Sequence, residues 1–136
     1  MPYAQRMQQP GAPEGWHTIT PRIFAEDPAG LVAFLRTVFD ARGTFQTNWP
    51  TEIWIGDSVL MISGTEVRSA MTACLYVYVD DADATYARAM AAGAETIEAP
   101  TDTPYGDRRA IVQDPFGNAW QIASFRGRDE EKLRGA

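Results

Sequence analysis

Few side chains in this sequence are equipped for chemistry. There is one cysteine, Cys74, and one histidine, His17. A lone thiol excludes an internal disulfide and any multi-thiolate zinc site, and a lone imidazole excludes a histidine-rich metal site. Cys74 would need a neighbouring base to act as a nucleophile, and nothing in the sequence brings His17 to it, so a buried, inert thiol is expected. No Ser-His-Asp set can be assembled around His17, and no glycine cluster sits in the strand-turn-helix context of a phosphate loop. Glu52 remains as a proton acceptor, with Arg22 or Arg109 to clamp an anion. Phe24, Trp49, Trp54, Tyr76 and Tyr78 offer ring faces for stacking or for a cation, unless they serve only as core.

The elements that must position these residues repeat. Ile19 to Ala25 reads as a strand, followed by Asp27-Pro28, a helix N-cap with proline at the first helical position. Leu31, Phe34, Leu35, Val38 and Phe39 recur at helical spacing, and Gly43 supplies a stop. Glu52 to Ile55 and Ser58 to Ser63 then form a hairpin across Gly56-Asp57. The second half follows suit: a strand from Cys74 to Val79, an N-cap at Asp81, an alanine-rich helix with Tyr86 and Met90 on one face, and Gly93 as its cap. Strands from Arg109 to Gln113 and from Ala119 to Ser124 flank the turn Asp114-Pro115-Phe116-Gly117-Asn118, where Asp-Pro starts the reversal and Gly-Asn tolerates positive φ. Asp27 and Asp81 lie 54 residues apart. The expected fold is therefore α+β: two paired βαβββ modules, about 18–65 and 72–125, forming a curved mixed sheet around a cavity.

Strand alternation divides each sheet into two faces. Leu60, Ile62, Leu75, Val77, Val79, Trp120 and Ile122 are uniformly apolar and belong under the helices. The opposite face is mixed: Thr20, Arg22 and Phe24; Glu52 and Trp54; Val59, Met61 and Ser63; Cys74, Tyr76 and Tyr78; Ala119, Gln121 and Ala123. Such a face suits a small-molecule pocket or a module or subunit interface. Tyr105-Gly106-Asp107 is expected as a loop over the cavity mouth, with Arg108 or Arg109 able to reach an anion.

Composition narrows the partners. The chain has 136 residues and a net charge of −6, which repels nucleic acid and anionic membrane. No apolar run approaches a membrane span and the first residues lack a signal peptide's apolar core, so a cytoplasmic protein is expected. Residues 1–17, rich in Pro and Gln, read as a mobile arm, and 126–136 as a charged tail with at most one frayed helical turn.

The repeated modules, the openings at Asp27 and Asp81, Ala92-Gly93-Ala94 and the Asp114-Pro115-Phe116-Gly117-Asn118 turn together resemble the vicinal oxygen chelate superfamily of glyoxalase I, bleomycin resistance proteins and extradiol dioxygenases. Tyr105-Gly106-Asp107-Arg108 ahead of that turn looks most like the PhnB-like branch. The resemblance implies metal ligands, in the metal-dependent members, at positions matching Thr20, Met61, Cys74 and Gln121. None of these is a carboxylate or an imidazole, so no metal and no cofactor are expected. His17 has the wrong strand parity to replace them. The resemblance further implies a homodimer and a binder of a small organic ligand, contacted by Thr20, Arg22, Phe24, Trp49, Glu52, Trp54, Met61, Cys74, Tyr76, Tyr78, Arg109 and Gln121. The alternative it leaves is a lyase or dioxygenase working with a non-standard site.

Overall fold

Two aspartate caps set the frame. In the computed structural model, which describes residues 9–128, the Asp27 side chain accepts from Gly30 N at 3.0 Å and opens helix α1, Pro28–Phe39. Asp81 accepts from Ala84 N at 3.0 Å and opens α2, Ala82–Ala91. Each bond satisfies an orphan amide of the first turn. The predicted stop at Gly43 is corrected: α1 ends at Asp40, a residue type that tolerates its left-handed φ of 54°. Gly93, with φ 101°, follows α2 as expected.

The strands are β1 (Arg22–Phe24), β2 (Thr51–Ile55), β3 (Ser58–Ser63), β4 (Cys74–Tyr78), β5 (Glu95–Asp102), β6 (Asp107–Gln113) and β7 (Ala119–Phe125). They form two sheets, ordered β1-β3-β2 and β4-β7-β6-β5, with parallel β1–β3 and β4–β7 pairs. Both sheets follow the paired-module plan, with one reduction. In the first module the strand after α1 shrinks to a single bridge between Arg42 and Trp54. β1 is also shorter than the predicted span. β5 was not anticipated; it carries Pro100 and two register slips against β6.

The core lies where the sheets meet the helices. Leu60, Ile62, Trp120 and Ile122 are buried, while Leu75 and Val77 of edge strand β4, and Val79 just after it, pack against the core. α1 contributes Leu31, Val32, Phe34, Leu35, Val38 and Phe39; α2 contributes Ala82, Thr85 and Ala89. The modules join through the Phe39 and Trp120 rings, 5.4 Å apart, and through Arg88 Nε donating to Val38 O at 3.2 Å.

Two residues assigned to the mixed face are buried. Val59 pairs in register with Trp54, and Ala123 lies between Tyr78 and Arg109 in adjacent strands. Larger neighbours on the same face cover each small side chain. Among the described residues no helix is long and apolar enough to cross a membrane. In the N-terminal segment, Trp16 packs edge-on against Trp54 at 6.0 Å. The helical turn expected in the tail falls mostly within 129–136, outside the described residues.

Candidate functional site

The Asp114 turn fixes the start of β7. Asp114 Oδ1 accepts from the backbone amides of Phe116 and Asn118 at 2.8 and 2.9 Å, and Oδ2 accepts from Asn118 Nδ2 and Trp120 Nε1 at 2.9 and 2.8 Å. One carboxylate thus saturates the turn and anchors the buried indole. Asn118 Oδ1 in turn accepts from Ala73 N at 2.9 Å, tying β4 to β7.

That register brings two of the matched positions together. Tyr76 pairs with Gln121 and Cys74 with Ala119. Gln121 Nε2 donates to Cys74 Sγ at 3.5 Å. Cys74 is exposed, which corrects the expectation of a buried thiol: β4 is an edge strand, and Cys74 stands on its uncovered face. In the first sheet Met61 lies between Arg22 on β1 and Glu52 on β2. Arg22 Nη2 donates to Ser63 Oγ at 2.9 Å and its guanidinium sits 4.7 Å from the Phe24 ring centroid. Thr20 precedes β1 and lines a groove with the 9–18 segment.

The predicted contacts do not converge on one cavity. Arg22, Phe24 and Trp49 line one groove, and Trp49, Glu52, Trp54 and Met61 line another; neither includes a residue of the second module. Tyr76 and Tyr78 line a cleft of about 390 Å³ between the modules. His17 stands at its rim, with Nε2 3.8 Å from Asp57 Oδ2.

The second sheet holds a network the sequence did not reveal. Tyr76 and Tyr78 reach across β7 and donate to Asp107 Oδ2 on β6 at 2.6 and 2.9 Å. Two strand spacings, roughly 10 Å, are bridged, and the small Ala123 beneath makes room. Asp107 thus opens strand β6 and does not belong to the predicted loop, whereas Arg109 lies in a strand as expected. Arg109 Nη1 donates to Tyr105 Oη at 2.6 Å and Nη2 to Glu98 Oε1 at 2.9 Å, so it is not free to clamp an anion. Burial, then hydrogen bonds to Asp107 and Tyr105, push the Tyr76 phenol well above its ordinary range. The Tyr78 phenol is raised as well, with its bond to Asp107 as the first cause. The sequence signal was the i, i+2 spacing of Tyr76 and Tyr78 with Asp107 and Arg109, but nothing in it aligned β4 with β6.

The donors at the four matched positions are a hydroxyl, a thioether, a thiol and an amide. A divalent metal of the kind the superfamily uses needs imidazole or charged oxygen, so this set does not fit one.

Known proteins place this geometry. TioX from Micromonospora sp. ML1 shares the fold, with a TM-score of 0.68 and 23% identity over 79% of this chain and 97% of that one. The fosfomycin resistance protein FosX from Mesorhizobium loti superposes with a TM-score of 0.62 and 21% identity, over 85% of this chain and 95% of its own. In sequence, the uncharacterized protein Rv0887c of Mycobacterium tuberculosis is 25% identical, covering 76% of this chain and 72% of that protein. The family model matches residues 3–122, and the chain belongs to the Glyoxalase/Bleomycin resistance protein/Dioxygenase superfamily.

Proposed function

We propose that the protein binds a small organic molecule without a metal, in a role such as sequestering a drug or toxic metabolite. The observation that carries this reading is the contact of Gln121 with Cys74 at 3.5 Å: the matched ligand positions are adjacent, yet hold an amide and a thiol. Elsewhere on the molecule, grooves on the first sheet and between the modules are lined by aromatic and polar side chains, the composition of an organic-ligand site. Titration with cationic glycopeptide and aromatic antibiotics should quench tryptophan fluorescence, since Trp49 and Trp54 line the grooves. Protein purified without chelator should carry no stoichiometric nickel, zinc or iron, and finding one would overturn the reading. Gln121→Glu alone should not create tight nickel or zinc binding, because its neighbours remain poor donors.

The reading extends to a homodimer within the PhnB-like branch. One chain leaves the outward faces of its sheets in separate grooves, and a second copy would wall them in. Light scattering after size exclusion tests this, with a monomer as the adverse result.

Glu52 favours a second reading, an enzyme of the superfamily with a non-standard site. Its carboxylate is exposed in the Trp49–Trp54 groove and has no hydrogen-bond or ionic partner among the described residues. Mass spectrometry of an incubated ligand separates the two: an unchanged mass supports the binder, and a product lost in Glu52→Gln supports the enzyme.

A further inference from the structure

One groove of the first module gathers positive charge in a chain whose net charge is −6. Its volume is about 420 Å³, and the charged side chains that line it are Arg22, Arg68 and Glu66. Neither arginine forms an ion pair among the described residues, and Arg68 has no hydrogen bond among them. Glu66 does not neutralise them: its carboxylate is bent back over Gly64, filling the space that a Cβ there would take. The inter-module groove that holds Arg42 and Arg88 differs on both counts. It also carries Asp40, Asp80 and Asp81, and both of its arginines donate to backbone carbonyls.

The sequence builds this groove from a short strand and two pinned loops. On β1, Arg22 lies 4.7 Å from the Phe24 ring centroid and donates from Nη2 to Ser63 Oγ at 2.9 Å. These two contacts orient the guanidinium and leave its Nε and Nη1 hydrogens without a partner among the described residues. The loop that carries Arg68 is tied back to β1 by Phe24 N donating to Met71 O at 3.2 Å and Met71 N to Phe24 O at 2.9 Å. The loop that carries Phe45 and Trp49 is held where Gln46 N donates to Thr51 Oγ1 at 2.9 Å. Trp49 is 75% exposed, so its ring is available to a ligand.

An oriented guanidinium with free N–H groups in one plane matches a carboxylate two bonds at a time. A second arginine on the same groove adds attraction that the chain's overall charge does not supply. Phe45 and Trp49 offer aromatic surface to the rest of such a molecule.

We propose that this groove takes an aromatic carboxylate, its anionic group on Arg22 and Arg68 and its ring against Trp49. This deepens the binding reading above and rests on it.

Three probes with one benzyl body test it by calorimetry on the full chain: phenylacetate, phenylacetamide and phenethylammonium. The carboxylate should bind at least about tenfold more tightly than the amide or the cation. Arg22→Gln should weaken phenylacetate by about tenfold, and Arg68→Gln by about threefold. Both arginines are exposed, so these changes leave the core intact. An amide or cation that binds as tightly as phenylacetate, or an unchanged phenylacetate affinity in Arg22→Gln, overturns the carboxylate inference and leaves the binding reading standing. Should Arg22→Gln fail to fold, an unchanged affinity in Arg68→Gln overturns it instead. No heat from phenylacetate up to about 10 mM also overturns it. The binding reading itself fails only if the antibiotic panel is silent as well.

Discussion

The two modules share a plan and divide its labour. The first supplies bulk: α1 buries six apolar side chains, including Phe34, Leu35 and Phe39, whereas α2 buries only Ala82, Thr85 and Ala89. The second supplies connected polarity: Tyr76, Tyr78 and Asp107 form one bonded set, and Tyr105, Arg109 and Glu98 another beside it. On the first sheet's outward face, by contrast, Arg22 donates to Ser63 and sits over the Phe24 ring, and among the described residues Glu52 has no hydrogen-bond or ionic partner. A polar network is costly to hold on a thin core, because unpaired members lose hydration without recompense. Small side chains on α2 let α1 pack closely, and the Phe39–Trp120 contact places the first module's bulk behind the second module's sheet.

This division can be broken most severely at the turns. Asp114→Ala strands four donors, and should cost about 3–5 kcal/mol, read as a fall in the urea midpoint. Asp57→Ala, at the exposed hairpin turn of the first module, should stay within about 0.5 kcal/mol by the same measurement. Phe39→Ala removes the ring that supports Trp120 and should cost about 3 kcal/mol. If it instead unfolds only the first module, two separate transitions would show that the core is not shared. The caps sharpen the symmetry: Asp27→Ala and Asp81→Ala should each cost about 1 kcal/mol and add in the double mutant.

The smallest effect is confined to alkaline pH. The folded Tyr76 and Tyr78 phenols hold their protons more tightly than the unfolded chain does. Their contribution is therefore complete below the ordinary tyrosine value of about 10 and is lost as pH rises from there toward the raised folded values. Thermal melts of Tyr76→Phe should show a flatter decline above about pH 10 than the parent.

What the sequence made legible was local chemistry. Asp-Pro at 27–28, Asp81, and the Asp114 to Asn118 turn each satisfy backbone groups a few residues away, so spacing alone locates them. β5 escaped because it is a largely exposed edge strand, with Pro100 and bulges in place of alternation. The Tyr76–Asp107 bond escaped for a different reason. It joins strands separated by β7, and neither residue's neighbours encode which strand lies between them. The matched positions were readable as residue types, and Gln121 does meet Cys74, but the separation of the aromatic residues into different grooves follows from tertiary packing alone.

The irregularity of β5 bears on how this molecule behaves at high concentration. The strand has no amide to donate at Pro100, carries Glu95, Glu98 and Asp102, and slips register twice against β6. A strand from another molecule would meet missing donors, repelling charge and a bent template. The four-stranded sheet thus resists growth on that side, which leaves the β4 edge as its other open flank for strand-to-strand association.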